Sequence, residues 1–258
     1  MTWKVSKHAR NHMLEHTNFK HVFSNCVMKW YSGSQPSTAE AAPTGTLLVT
    51  LSNASGALTR EVNSIGSVDL TGGASGSVDT ITVNSIEIMG SSTPFNTSLA
   101  QTAQDVANKI NNNPFNYLFR AFVSDTDKIN IEALPGLGAL PNGWVVASTT
   151  TTITKTDTNM ASGVSAVNGL NWGDSADGLI VKLPSQVWSG VAVATGVAGW
   201  FRIEASKNDA GGVDSTESIS RADGTIATSG AEINMGSTSI SSSVTYTLDS
   251  FTVALPTS

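Results

Sequence analysis

From residue 27 onward, short strand-like runs, several alternating apolar with polar residues, are cut by Gly, Asn, Asp and Ser at close intervals. Period two sends successive side chains to opposite faces of a strand, and frequent turn residues keep those strands short. Helical period shows in only two places, over 6–24 and after Ser98. A chain written this way is expected to fold as a mainly β protein, β-sandwich or jelly-roll-like, with a short N-terminal helix. Composition agrees. Only 13% of residues are charged, there are 23 Gly, and Ser with Thr make up roughly a quarter, unlike the Ala, Glu, Lys and Leu of a helical bundle. With 258 residues and 40% hydrophobic content, the chain buries one large core or two small ones.

Along the chain, Val5, Ala9, His12, Met13, His16 and Lys20 fall near helical spacing, and 27–31 then reads as a strand ended by turn residues. Residues 37–45 are small and polar, a surface loop, and 46–51 is a buried strand. The Gly/Ser-rich run 71–76 reads as a linker. Ile81 and Val83, then Ile86 and Ile88, alternate around Asn84-Ser85 as a hairpin. Ser98 with Gln101 has capping-box spacing before the stripe Leu99, Ala103, Val106, Ala107 and Ile110. A second hairpin spans 119–133, and 144–156 supplies one more Thr-rich strand. Residues 77–157 are thus a ββαββ(β) module inserted into a split β-sandwich of 1–70 and 163–258, with 71–76 and 158–162 as linkers. The returning strands are expected at 179–183, 186–194, 200–205, 219–221 and 244–255, with a bulge at Asp249-Ser250.

Charge narrows the function. The net charge of -6 opposes nucleic-acid binding, which needs a basic surface. Residues 1–31 hold Lys4, Lys7, Arg10, Lys20 and Lys29 against Glu15, a net of +4, while the rest carries 9 basic and 19 acidic residues. The N-terminal segment is therefore expected to meet an acidic surface, on its own β body or on another subunit. No apolar run after Met1 suggests a signal peptide, and the most apolar stretch, 191–201, is too short and interrupted to span a bilayer. The single Cys26 closes no intramolecular disulfide and fits folding in a reducing cytoplasm.

Motifs for chemistry are sparse. His12-Met13-Leu14-Glu15-His16 matches the H-x-x-E-H pattern of one metallopeptidase class, and His8, His12 and His16 share one helix face; a solvated basic face is the simpler reading. Cys26 precedes a bulky apolar strand and reads as a buried thiol. Gly136-Leu137-Gly138 lies between prolines with no helix behind it, and so is a loop and no dinucleotide site. Asp125-Thr126-Asp127 and Asp174 with Asp177-Gly178 read as turns, not calcium loops. Trp172, Trp188 and Trp200 read as core. The expectation is a non-enzyme with no catalytic, cofactor-binding or metal-binding residues.

Three groups of residues resemble a known family. The runs Arg10-Asn11-His12, Lys29-Trp30-Tyr31-Ser32-Gly33-Ser34-Gln35-Pro36 and Ala39-Glu40-Ala41-Ala42-Pro43-Thr44-Gly45-Thr46-Leu47-Leu48 are similar to the opening of a tailed-bacteriophage virion structural protein family. Asn168-Gly169-Leu170-Asn171-Trp172-Gly173, Val187-Trp188-Ser189-Gly190, Ala194-Thr195-Gly196-Val197-Ala198-Gly199-Trp200-Phe201-Arg202 and Thr228-Ser229-Gly230-Ala231-Glu232-Ile233 resemble its other half, and the inserted module is loosely similar to flagellin-type hook insertions. The resemblance implies an accessory virion subunit on the capsid, as decoration or cement, or on the neck or tail. It implies partners among the major capsid, neck or tail proteins, a homo-oligomer, no membrane and no nucleic acid, and assembly in the bacterial host cytoplasm. The split β domain and its basic N-terminal segment would anchor to the particle while the insert projects. The alternative is a carbohydrate-binding or adhesin-type β module, which exposed Trp172 and Trp188 would mark.

Overall fold

The computed structural model describes residues 3–15, 18–207 and 209–254. Strands take 43% of the chain and helices 10%, in several antiparallel sheets, so the protein is mainly β. The chain divides into two units, 1–60 with 166–258, and 61–165.

The first unit opens with β1 (Lys4–Val5), α1 (Lys7–Glu15), α2 (Phe19–Val22), β2 (Val27–Ser32) and β3 (Leu47–Asn53). Ala9 is buried and Met13 packs on the same core, so α1 is held by one face; Asn18, in extended backbone, caps α2 by accepting from the His21 N–H at 3.1 Å.

The second unit holds β4 (Ile65–Gly72), β5 (Ser77–Val83), β6 (Ile86–Glu87), β7 (Thr93–Pro94), α3 (Leu99–Asn111), β8 (Phe119–Ser124), β9 (Lys128–Ala133), β10 (Val146–Thr151) and β11 (Thr154–Ala161). It contains two four-stranded sheets, β10-β5-β6 with β7 beside β5, and β11-β4-β9-β8. α3 packs on β8 and β9, and Val106, Ala107 and Ile110 close a core with Val68, Ile81, Ile129 and Ile131.

The chain then completes the first unit with β12 (Leu179–Val181), β13 (Trp188–Val191), β14 (Gly196–Glu204), β15 (Arg221–Ala227), β16 (Ile233–Asn234), β17 (Ser239–Ile240), β18 (Thr245–Leu248) and β19 (Thr252–Ala254). Its main sheet runs β1-β15-β14-β2-β3-β13-β18, with β16 on β15 and β17 on β14, while β12 and β19 form a separate pair. The core behind it is aromatic: Trp172 meets Trp188 edge-on at 5.1 Å and Phe19 at 5.0 Å, and Phe251 meets Phe201 at 5.5 Å.

Several expectations are corrected. Residues 71–76 are no linker: 71 and 72 end β4 and 73–76 turn the chain into β5 of the other sheet, and 65–70 belong to the second unit, because β4 pairs with β9 and β11. Gly73 and Gly76 have φ of 110° and 97°, and a Cβ on Gly76 would lie 1.9 Å from the Thr151 carbonyl oxygen. The expected linker 158–162 is largely the end of β11. The single strand expected over 144–156 is two, β10 and β11, folded at Thr152 with φ 57° and pinned by the buried Ile153. The strand expected over 244–255 is no bulged strand: β18 pairs with β13 and β19 with β12, and Leu255 lies outside the described residues. The strand placed at 219–221 starts at Arg221 and runs on. Ser98 caps α3 through the Gln101 N–H at 3.1 Å, but Gln101 turns to Asp105 at 2.9 Å, so only half of the capping box forms.

β8 is an edge strand whose outer backbone groups are filled by side chains. Asn111 donates to the Ala121 carbonyl and accepts from the Ala121 N–H, both at 2.8 Å. Asn116 does the same at Phe119, at 2.8 and 3.2 Å. Each amide imitates the next strand and blocks edge-to-edge pairing. Replacing both residues by Ala is expected to destabilise the protein by about 2 kcal/mol and to increase aggregation; urea unfolding and light scattering measure both.

Candidate functional site

The densest chemistry lies on the main sheet's second face, opposite the aromatic core. Phe201 and Ile203 of β14 enter the core, so Arg202 and Glu204 turn the other way. By the same alternation Ala222 and Ile226 of β15 turn inward and Arg221 and Asp223 outward, while Met28 and Trp30 of β2 turn inward and Lys29 and Tyr31 outward. Register sets Arg202 opposite both Asp223 and Lys29, and Glu204 opposite Arg221.

These charges are sealed from water. Arg202 donates from Nε and Nη2 to the two oxygens of Asp223 at 2.8 and 2.7 Å. Arg221 grips Asp209 in the same forked way, both bonds at 2.6 Å, and all four side chains have 0% exposure. Glu204 accepts from Arg60 Nη2 at 2.5 Å, and Lys29 Nζ lies 2.8 Å from its other oxygen as an ion pair outside hydrogen-bond geometry. Tyr31 stacks on Trp200 with centroids 4.5 Å apart.

The loop 36–46 covers this layer, and its carbonyls hold it there. Ala41 accepts from Arg202 at 3.0 Å, Glu40 from Arg221 at 3.2 Å, Thr44 from Trp200 Nε1 at 3.2 Å and Pro36 from Lys4 at 2.5 Å. Pro36 and Ala39 are buried, so the expected surface loop is a docked lid. A second segment, 206–220, supplies Asp209 and the Gly212 carbonyl, and Asp214 of that segment bonds the Glu40 carbonyl through its own N–H at 2.8 Å.

Burial sets the ionisation. It opposes the charged form of Asp209, but Arg221 and the Gly211 N–H outweigh it and hold the carboxyl below its usual range. Asp214 is likewise lowered, burial being outweighed by the Ser218 and Ile219 N–H groups. At Asp223 burial prevails over Arg202 and raises the carboxyl. Burial, then Glu204, pushes the Tyr31 phenol up. Each guanidinium is matched at both prongs, so the arrangement clamps loops to a sheet.

The residues singled out by sequence are scattered. His8 and His12 stack at 5.5 Å, with His8 Nδ1 2.9 Å from Ser220 Oγ, and His16 lies outside the described residues. Among the described residues no group of three or more His, Cys, Asp or Glu is placed to hold a metal ion. Cys26 is fully buried and its thiol is pushed up to about 12 by burial. The N–H groups of Gly136 and Gly138 cradle the buried Glu61 carboxylate at 2.6 and 2.9 Å, an internal anion that nothing in that loop's own residues announces. Asp125-Thr126 and Asp177-Gly178 are positive-φ turns. Trp172, Trp188 and Trp200 are buried.

The basic N-terminal segment meets its own unit: Lys7 pairs with Glu217 at 2.6 Å, Lys20 with Asp174 at 2.8 Å, and Lys29 with Glu204. Two clefts of about 400 Å³ are open, one along the lid between Ser37–Glu40 and the N-terminal Trp3, Lys4 and Arg10, the other in the second unit beside Met89, Lys109, Asn113 and Phe115. No protein family, curated protein or solved structure matches the chain.

Two outcomes follow from the clamp. Asp223→Ala leaves Arg202 charged and unpaired, and is expected to cost about 3–5 kcal/mol in denaturant unfolding, whereas Arg202→Met with Asp223→Leu recovers most of it. Asp209 and Asp214 are lowered in the fold, so the stability they contribute is complete above the unfolded value of about 3.9 and is lost as pH falls through their folded values. Asp223, raised, contributes with the opposite sign. A Tm profile from pH 7 to acid should therefore fall steeply only below about pH 4, and Asp214→Asn should flatten that fall.

Proposed function

We propose that this chain is a non-enzymatic structural subunit of a tailed-bacteriophage virion, an accessory protein docked on the capsid, neck or tail. The observation that carries the reading is the likeness of residues 10–12, 29–36, 39–48, 168–173, 187–190, 194–202 and 228–233 to that family. The buried polar layer supports it, since those same runs include Lys29, Tyr31, the lid carbonyls and Arg202, and their chemistry is spent on holding the fold. The split β unit is the anchor. Four of its basic N-terminal residues, Lys4, Lys7, Lys20 and Lys29, are engaged within the unit, so docking draws mainly on other surfaces than the charge of residues 1–31.

The inserted unit is the projecting or neighbour-contacting part. Thr59 and Val167, flanking its entry and exit, bond to each other through both backbone pairs at 3.1 Å. The adhesin alternative loses its proposed platform, because Trp172 and Trp188 are buried. Its remaining support is in the insert, where Phe115 and Tyr117 are 79% and 73% exposed on a loop braced by Asn113 and Asn116.

Joining Arg60 to Ala166 through a short Gly-rich turn removes 61–165, and the shortened chain should still be incorporated into particles at the full-length copy number. Failure of a folded deletion to incorporate overturns the anchoring role. Cryo-electron microscopy of intact particles tests the reading as a whole: density on capsid, neck or tail supports it, and absence from particles refutes it.

A further inference from the structure

Charge is divided sharply along the main sheet of the first unit. β2, β14 and β15 carry the ion-pair layer, but β3, β13 and β18 at the other end carry no charged residue on either face. The blank extends well past the strands: 41–59, 183–201 and 233–248 contain no Asp, Glu, Lys or Arg in a chain with 34 such residues. The short loop after β3 covers the second face only at Ser52 and Ser189, through the Gly56 carbonyl at 2.7 Å and the Ser55 hydroxyl at 2.9 Å, and leaves the β18 side of that face open. Val191 is 49% exposed and lies directly opposite exposed Thr245, Thr247 lies opposite Ser189, and Val193 and Val197 stand 64% and 60% exposed nearby.

β18 is also the last strand of the sheet. Alternate residues of an edge strand turn their N–H and C=O groups outward, and among the described residues no backbone or side-chain partner takes those of 245–248. Within 245–248 no charge, proline or asparagine guards this edge, the first charge being Asp249 just past its end, whereas Asn111 and Asn116 fill the edge at β8. The fold protects one edge and leaves another open.

We propose that β18 and the uncharged face beside it dock a second copy of this chain, edge to edge and antiparallel. An antiparallel strand edge is its own complement, so a two-fold axis beside β18 pairs its outward donors with acceptors and sets Thr245 opposite Thr247 of the second copy. Charge selects this occupant. The chain carries -6 overall, so two copies meeting through most other surfaces oppose like charges, and the β3-β13-β18 end brings none. A partner recognised by charge would find nothing to hold there.

The test is the solution mass of the full chain, by sedimentation or light scattering, across roughly a hundredfold range of concentration. The wild type should rise from the 26.8 kDa monomer to twice that mass. Thr245→Lys and Thr247→Lys each place a charge on an exposed position of the edge strand. Each should raise the concentration of half-association at least about tenfold with the circular dichroism spectrum and Tm unchanged, while Ser91→Lys in the other unit should leave association alone. A wild type that stays at 26.8 kDa throughout overturns the proposal, and so do folded lysine variants that associate like the wild type. This association does not rest on the virion reading, whose failure would show separately as absence from particles.

Discussion

Two arginines held without water set most of the terms of the first unit. Taking a guanidinium out of solvent costs several kcal/mol, and only a complete set of acceptors offsets it. Arg202 and Arg221 each have five N–H donors to place, and a single carboxylate takes two of them in forked geometry. Further donors must go to carbonyls, and the loop 36–46 supplies three in a row at Ala39, Glu40 and Ala41. The lid's conformation is therefore dictated by the sheet beneath it. The segment 206–220 is dictated in turn, because Asp209 and Gly212 complete Arg221 and Asp214 ties back to Glu40.

What was legible in the sequence is what local chemistry decides. Ser98 ahead of an apolar stripe, Asn84-Ser85 between alternating runs and the turn at 125–127 each need only a few neighbouring residues to act, and each is where the pattern puts it. The misreadings share a different cause. Gly76 looks like part of a flexible tether until Thr151, far along the chain, is seen to lie where its Cβ would be. The Thr-rich run 144–156 has no apolar rhythm strong enough to reveal a fold at Thr152. The lid works through its carbonyls, which every residue has, so small polar side chains at 37–45 give no hint of docking. Alternation marks Arg202 and Glu204 as sharing a face, but nothing in β14 says that this face is covered.

The insertion is physically undemanding for the same reason that its boundaries were hard to read. Each unit owns a separate apolar core, with Trp30, Trp172 and Trp188 in one and Val106, Ile129 and Ile131 in the other. Each also closes its own ends: Thr59 bonds Val167 in the first unit, and Val62 bonds Val164 in the second. Glu61, just after the crossing, is fixed by the Gly136 and Gly138 N–H groups. Composition marks no boundary there, since the crossing residues Arg60, Glu61, Ser165 and Ala166 belong to no Gly-rich tether.

Register connects the polar layer to the rest of the sheet. Sliding β14 by one residue against β2 and β15 would drive Arg202 and Glu204 into the aromatic core and strand Asp223, so the buried ions specify alignment even where their net contribution to stability is small. The uncharged end has no such device and is aligned by close approach instead. A Cβ on Gly190 would sit 2.0 Å from the Thr50 carbonyl oxygen, and one on Gly199 would sit 2.0 Å from that of Gly33. Trp188 is then fixed opposite Leu248 on the core side. Alignment by glycine and tryptophan leaves the second face free of ion pairs, and the short loop after β3 is held there by hydroxyls alone, Ser52 to the Gly56 carbonyl and Ser55 to Ser189. The sheet thus spends its charges where it must hold a long lid and leaves uncharged Val and Thr exposed at the β18 side, where it need not.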